Sequence, residues 1–134
     1  MQTHVVRSFM TASPETIAGD LTLTQARDRM FQLGSHHLPV VDNGELVGVL
    51  SDRDISGAEV HGSDLERLTV RQVMTAVPFT CGPEAHLRAV AAEMAQHHHG
   101  SAIVVDPNHP GHVLGVFTTT DALTALAQLA APPQ

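Results

Sequence analysis

The sequence predicts an α+β fold built from two similar halves, and three observations support this. The chain has 134 residues, 43% of them hydrophobic, which is enough for a core without disulfide or metal. It matches itself at an offset of 64, with thirteen identities over residues 6–42, where average residue usage gives about two or three. Both halves show the same order of helical and strand patterns. We therefore expect two β-α-β-β-α units packed about a pseudo-twofold axis.

Each half is expected to begin with an extended segment, near residues 15–17 and 79–81, followed by an amphipathic helix. Thr22 and Gln25 have the spacing of a capping box, and Gly34 is the expected end of the first helix. Gly100 is the expected end of its counterpart. The predicted apolar stripes are Leu23, Ala26, Met30 and Phe31 in the first half and Leu87, Val90, Ala91 and Met94 in the second.

A β-hairpin and a second helix follow in each half. Residues 38–41 and 46–50 are joined through an Asn-Gly dipeptide, which favours a two-residue turn, whereas residues 102–105 and 113–117 flank a longer loop that contains proline. The candidate caps of the second helices are Ser51 or Asp52 and Thr118 or Thr119. In the second half Leu123, Leu126 and Ala130 form the expected buried stripe. The predicted boundaries are 5–58 for repeat 1, 59–69 for the linker, 70–130 for repeat 2 and 131–134 for a tail.

Composition excludes several classes of function. The seven basic residues are all arginine, and the net charge is -7. An acidic chain lacks the electrostatic term that drives binding to nucleic acids and anionic membranes, so we expect neither as a partner. The absence of lysine excludes a Walker-type phosphate loop and Schiff-base chemistry. A single cysteine, Cys81, with no signal-peptide or membrane-span pattern, predicts a cytoplasmic protein.

Two matching segments carry the most specific chemistry. Gly-Val-Leu-Ser-Asp-Arg-Asp at 48–54 and Gly-Val-Phe-Thr-Thr-Thr-Asp at 115–121 both place a hydroxyl and an aspartate at a strand-to-helix junction. A hydroxyl beside free backbone N–H groups suits a phosphate, and an aspartate one turn later suits the two hydroxyls of a ribose. Apolar side chains of the preceding strand suit a base. Helix capping without any ligand explains the same residues, so both interpretations stay open.

The duplicated sequence resembles a pair of CBS domains (cystathionine beta-synthase motifs, together a Bateman module). The resemblance lies in Val-Arg-x-x-Met-Thr at 6–11 and 70–75, Leu-Pro-Val-Val-Asp at 38–42 and the Gly-Val-Leu-Ser-Asp-Arg-Asp turn, and it covers about residues 5–130. It implies an adenosine ligand (AMP, ADP, ATP or S-adenosylmethionine) in the cleft between the repeats, and a homodimer of two pairs. No required cofactor is implied.

By position, the resemblance implies ribose contacts from Asp54 and Asp121 and phosphate contacts from Ser51 and Thr118. The resemblance also implies that Thr16 and Thr80 line the two sites. The adenine would lie against Leu38, Pro39 and Val40 in one site, and against Ala102, Ile103 and Val104 in the other. The second repeat departs from the family pattern, because Ala102-Ile103 stands where the first repeat has Leu38-Pro39.

The sequence thus predicts a noncatalytic regulatory module that binds an adenosine nucleotide and signals to an unidentified protein target. The two repeats account for nearly the whole chain and no catalytic motif is present, so no enzymatic activity is expected. One alternative is an assembly module that dimerises without ligand. Another is a metal-responsive protein, since the chain has ten histidines, although consecutive histidines do not share a helix face. Its candidate ligands are His36, His37, His97, His98 and His99.

Overall fold

The two halves exchange their opening segments. A computed structural model describes residues 4–130. Val6 of the first half is fully buried in the core of the second, against Phe117, while Val70 of the second half is fully buried in the core of the first, against Leu23. The exchange is reciprocal, which is the relation that a pseudo-twofold axis requires. The predicted duplication is therefore an interlocked pair rather than two separate domains.

The hairpin strands follow the predicted order in both halves, whereas the extended segment predicted near residues 15–17 forms only a single bridge at Ile17. A four-stranded sheet contains, from edge to edge, β1 (Thr11–Ala12), β6 (His109–Thr118), β5 (Ser101–Asp106) and β4 (Thr80–Cys81). The hairpin of β2 (His37–Asp42) and β3 (Glu45–Ser51) is extended by single bridges from Ile17 and Thr75. The predicted Asn-Gly turn is confirmed, because both residues have positive φ. The prediction of a long loop in the second hairpin was wrong, because β6 begins at His109, which pairs with Asp106.

A short 3-10 helix (Val6–Ser8) and five α-helices complete the described chain: α1 (Leu23–Leu33), α2 (Asp52–Val60), α3 (Val70–Val73), α4 (Leu87–His97) and α5 (Thr119–Leu129). The capping box of Thr22 and Gln25 is formed, and Gly34 ends α1 in the left-handed conformation. The prediction that α4 ends at Gly100 was wrong. His98 ends α4 instead, with φ of 57°.

Two predicted apolar stripes are only partly buried. Phe31, expected in the core, is 88% exposed, because the buried face of α1 is centred on Leu23, Ala26 and Met30 and Phe31 lies at its edge. Leu123 and Leu126 of α5 are 61% and 64% exposed, and Ala125 is the buried residue of that helix. Helical spacing identified amphipathic helices here, but it misplaced part of the buried face.

Two ion pairs join the halves close to the hairpins. Arg71 donates to Asp42 at 2.6 Å, and the N–H of Gly19 donates to the same carboxylate at 3.0 Å. These two donors hold the pKa of Asp42 below its usual range. On the neighbouring strand ends, His109 Nε2 lies 2.8 Å from Glu45 Oε1. The carboxylate raises the pKa of His109, so folding favours the protonated imidazole.

The His109–Glu45 contact predicts a pH dependence of stability. Because the folded pKa lies above the ordinary value of 6.5, the contribution is present below that value and disappears as pH rises through the raised pKa. We expect wild type to melt above His109→Gln at about pH 6 and to match it at about pH 8.5. Thermal melts across this range measure the difference. His61→Gln is the control, since that exposed histidine forms no ion pair among residues 4–130, and a difference between wild type and His109→Gln that does not change with pH would contradict the prediction.

Candidate functional site

Two cavities lie between the halves, at equivalent positions. The large cavity has a volume of about 470 Å³ and combines the start of α5 with residues 11–15 and 33–38 of the first half. The small cavity, of about 160 Å³, combines the start of α2 with residues 75–79 and 98–101 of the second half. Each cavity therefore takes its helix start from one repeat and its opposite wall from the other. This arrangement follows from the exchanged opening segments.

The hydroxyl and the aspartate predicted for the second repeat meet in the large cavity. Asp121 Oδ2 accepts from the Thr118 N–H at 2.9 Å and from the Thr118 hydroxyl at 3.1 Å, while the Asp121 N–H donates to that hydroxyl at 3.2 Å. This is a capping box, formed with aspartate in place of the usual glutamate. Asp121 Oδ1 has no hydrogen-bond partner among the described residues, so one carboxylate oxygen caps the helix and the other is unpaired in a residue that lines the cavity.

The first repeat has the same arrangement in the small cavity. Asp54 Oδ2 accepts from the Ser51 N–H at 2.8 Å, and Ser51 Oγ accepts from the Asp54 N–H at 3.2 Å. The capping interpretation and the ligand interpretation are thus compatible, since the cap uses one oxygen of each aspartate. What separates the two sites is the space in front of them.

Aromatic side chains reduce the space in the small cavity. Phe79 and His99 stack there, with ring centroids 4.9 Å apart and planes inclined by 13°. The equivalent positions in the large cavity are Glu15 and Ser35, which leave the centre open. The large cavity is therefore the better candidate for a nucleoside-sized ligand.

His37 lines both cavities, so it stands between the two candidate sites. Its imidazole lies against Gly100, where an added Cβ would approach Nε2 to 2.7 Å. Burial lowers the pKa of His37, although Asp52 acts in the opposite direction. The neighbouring His36 places Nδ1 2.8 Å from the carboxylate of Asp52.

Several residues implied by the family resemblance lie away from the cavity walls. Leu38 lines the large cavity. Thr16 and Thr80 are exposed and belong to neither lining. Five others are side chains of the hydrophobic interior, with exposure of 2% or less: Pro39, Val40, Ala102, Ile103 and Val104. These five residues belong to neither cavity lining.

The remaining candidates for chemistry are used in packing. His97 lies 3.3 Å from Glu93, His98 ends α4 and His99 stacks on Phe79. Within residues 4–130, no three side chains of histidine, cysteine, aspartate or glutamate are placed to hold a metal ion. Burial raises the pKa of the Cys81 thiol to about 11, so it is protonated at neutral pH. No helix of the described chain is long and apolar enough to span a membrane.

Sequence reasoning missed most of the opposite wall of the large cavity. Thr11, Ser13, Glu15 and Ser35 line it, and they come from the first repeat although the helix start comes from the second. Thr11 lies in a motif that repeats at Thr75, which lines the small cavity. The repeated threonine was therefore a signal in the sequence that these positions belong to the sites. Its meaning became clear only once the structure showed that the opening segments are exchanged between the halves.

Comparison with known proteins agrees with this architecture. The family model described as CBS domain matches residues 6–61 and 70–128. Inosine-5'-monophosphate dehydrogenase of Korarchaeum cryptofilum is 32% identical over 120 residues, which is 90% of this chain and 23% of that enzyme. The CBS domain-containing protein YhcV of Bacillus subtilis is 31% identical over 105 residues, or 78% of this chain and 74% of YhcV. The chain thus spans about a quarter of the first of these relatives.

Solved structures share the whole fold. The AcuB protein of Vibrio cholerae superposes with a TM-score of 0.85 and 29% identity, covering 96% of both chains. The CBS domain pair of protein MJ0100, solved with 5'-methylthioadenosine and S-adenosyl-L-methionine, has a TM-score of 0.83 and 24% identity over 92% of this chain and 99% of that one. CBSX2, solved with AMP, has a TM-score of 0.81 and 22% identity, covering 96% and 99% of the two chains.

Proposed function

The chain belongs to the CBS domain family as a pair of repeats, and from this premise we propose that it is a noncatalytic regulatory module that binds one adenosine derivative in the large cavity. Binding changes the relative position of the halves and so alters contact with a protein target. A ligand has this effect only through different affinities for the two arrangements.

One observation carries the proposal: Asp121, with one carboxylate oxygen unpaired among the described residues, stands at a cavity of about 470 Å³ that both repeats enclose. That volume falls within the range of small-molecule sites. The unpaired oxygen is suited to accept from both hydroxyls of a ribose. The ligands named for MJ0100 and CBSX2 are all adenosine derivatives, which supports the same class of ligand here.

Thermal unfolding with a panel of compounds tests the proposal. Adenosine, 5'-methylthioadenosine, S-adenosylmethionine, AMP, ADP and ATP are added singly, with zinc chloride as a separate sample. A compound at a hundredfold excess over its Kd adds about 2.7 kcal/mol to the free energy of unfolding, which raises Tm by several degrees. Calorimetric titration of that compound should give one equivalent per chain. If no adenosine compound shifts Tm, the ligand-free assembly module becomes the better explanation, and a shift with zinc alone would favour a metal-responsive protein.

We also propose that the chain forms a homodimer through its exposed helical faces. Phe31 of α1, Val60 of α2 and Leu126 of α5 are 88%, 82% and 64% exposed, so large apolar side chains face outward on helices of both repeats. Soluble monomers rarely leave extended apolar patches uncovered, and such patches mark protein contacts.

Leu126→Asp is expected to shift the dimer toward monomer, because the contact would have to bury an unpaired carboxylate. Size-exclusion chromatography with light scattering measures the mass. Val77→Asp is the matched control, since Val77 is 87% exposed but lies outside these helices, at the small cavity. Equal masses for the two variants would contradict the proposed interface.

A further inference from the structure

The lining of the large cavity is poor in positive charge. It contains two carboxylates, Glu15 and Asp121, and no arginine, while the chain has no lysine. Arg29, the cation that the structure brings to this wall, is already paired with Glu15 at 3.3 Å. Asp121 has no cationic partner among the described residues. Since the whole chain carries a charge of -7, the cavity repels rather than attracts an anionic group.

The helix start that faces this cavity has few N–H groups left for an anion. The Thr119 N–H donates to the Gly100 carbonyl at 3.2 Å, and the Asp121 N–H donates to the Thr118 hydroxyl. Of the first three N–H groups of α5, that of Thr120 is the one without a partner among the described residues. Phosphate sites at helix starts depend on several free N–H groups, and here two are occupied.

The two histidines that line the large cavity do not make up for its lack of positive charge at neutral pH. Any positive charge on His36 is offset by Asp52, 2.8 Å away. His37 is half-buried, and burial lowers its pKa below the ordinary 6.5, so it is mainly neutral at pH 7.5. Neither ring supplies an uncompensated positive charge to the ligand.

We infer that the large cavity selects an adenosine derivative whose 5' substituent carries no net negative charge, and that it discriminates against nucleoside phosphates. The inference rests on the proposed function and narrows its ligand class. Thr120 lines the large cavity, and its counterpart in the first repeat is Arg53, so an arginine is compatible with this helix position. A guanidinium at that position would offer a charged, bidentate partner for phosphate.

Calorimetric titration at low ionic strength tests the inference with adenosine, 5'-methylthioadenosine, AMP and ATP, the last with and without Mg²⁺. We expect AMP to bind wild type at least about tenfold more weakly than 5'-methylthioadenosine, and ATP more weakly still. Thr120→Arg should strengthen AMP binding about tenfold. Gln128→Arg adds the same charge two turns further along α5, on an exposed residue outside the cavity, and should leave the ratio of the two Kd values unchanged.

Three results would overturn the inference, and they differ in what they leave standing. AMP or ATP binding to wild type as tightly as 5'-methylthioadenosine would remove the charge selection but keep an adenosine site. No binding by any of the four compounds, together with none by S-adenosylmethionine, would remove the proposed function and the inference with it. Equal effects of Thr120→Arg and Gln128→Arg would show that net charge, rather than the cavity wall, controls the preference.

Discussion

Asp121→Ala is expected to abolish the stabilisation by an adenosine ligand. The change removes the unpaired carboxylate oxygen of a residue that lines the large cavity, and with it the two hydrogen bonds proposed for a ribose, each contributing about 1.5 kcal/mol or more. Affinity should therefore fall about a hundredfold. Without ligand, loss of the capping box lowers stability by about 1 kcal/mol, or a few degrees in Tm.

Asp54→Ala is the matched control for that experiment. It breaks the equivalent capping box at Ser51, so the unliganded protein should lose the same few degrees. The ligand-induced shift should survive, because Asp54 faces the small cavity that Phe79 and His99 narrow. If the ligand response were lost in Asp54→Ala but kept in Asp121→Ala, the ligand would bind in the small cavity instead. A response unaffected by either variant would contradict the role of both aspartates.

Gly115→Ala is expected to destabilise the fold by about 2 kcal/mol, since it forces a methyl group into a closely packed contact. A Cβ at this position would lie 2.5 Å from Met10 Sδ and 2.9 Å from the Thr11 carbonyl oxygen. The sulfur can move, but the carbonyl belongs to the segment that pairs with β6 next to Gly115. Thr11 also lines the large cavity, so ligand affinity should fall together with stability. Urea unfolding and calorimetric titration measure the two effects.

Gly57→Ala makes the same chemical change, but its effect on stability is expected to have the opposite sign. Gly57 lies inside α2, and no atom lies within 4 Å of the position where its Cβ would be. Alanine there should stabilise the protein by about 0.5–1 kcal/mol, because glycine loses more backbone freedom in a helix. If Gly115→Ala raised the urea midpoint, as Gly57→Ala is expected to do, the close approach of the exchanged segment to β6 would be contradicted.

Local chemistry allowed much of the fold to be predicted. Thr22 with Gln25, the Asn-Gly turn, and the hydroxyl-aspartate pairs at Ser51 and Thr118 depend on residues within a few positions of one another. Short-range hydrogen bonds and backbone preferences act the same way in any tertiary setting, so sequence patterns identify them. The repeat offset was also visible in the sequence, and the structure confirms the paired architecture.

Contacts between the halves were decided only by the tertiary structure. Nothing near Val70 in the sequence indicates that it packs with Leu23, and nothing near Thr11 indicates that it faces Asp121 across a cavity. Helical spacing likewise could not separate exposed Phe31 from buried Met30, because both fall on one apolar stripe. The sequence by itself determined two copies of one unit with a capped helix in each. The tertiary structure decided which of the two cavities is large enough for a ligand and which charges line it. The reason is that each cavity is lined by side chains from both repeats, which only the packing of the halves brings together.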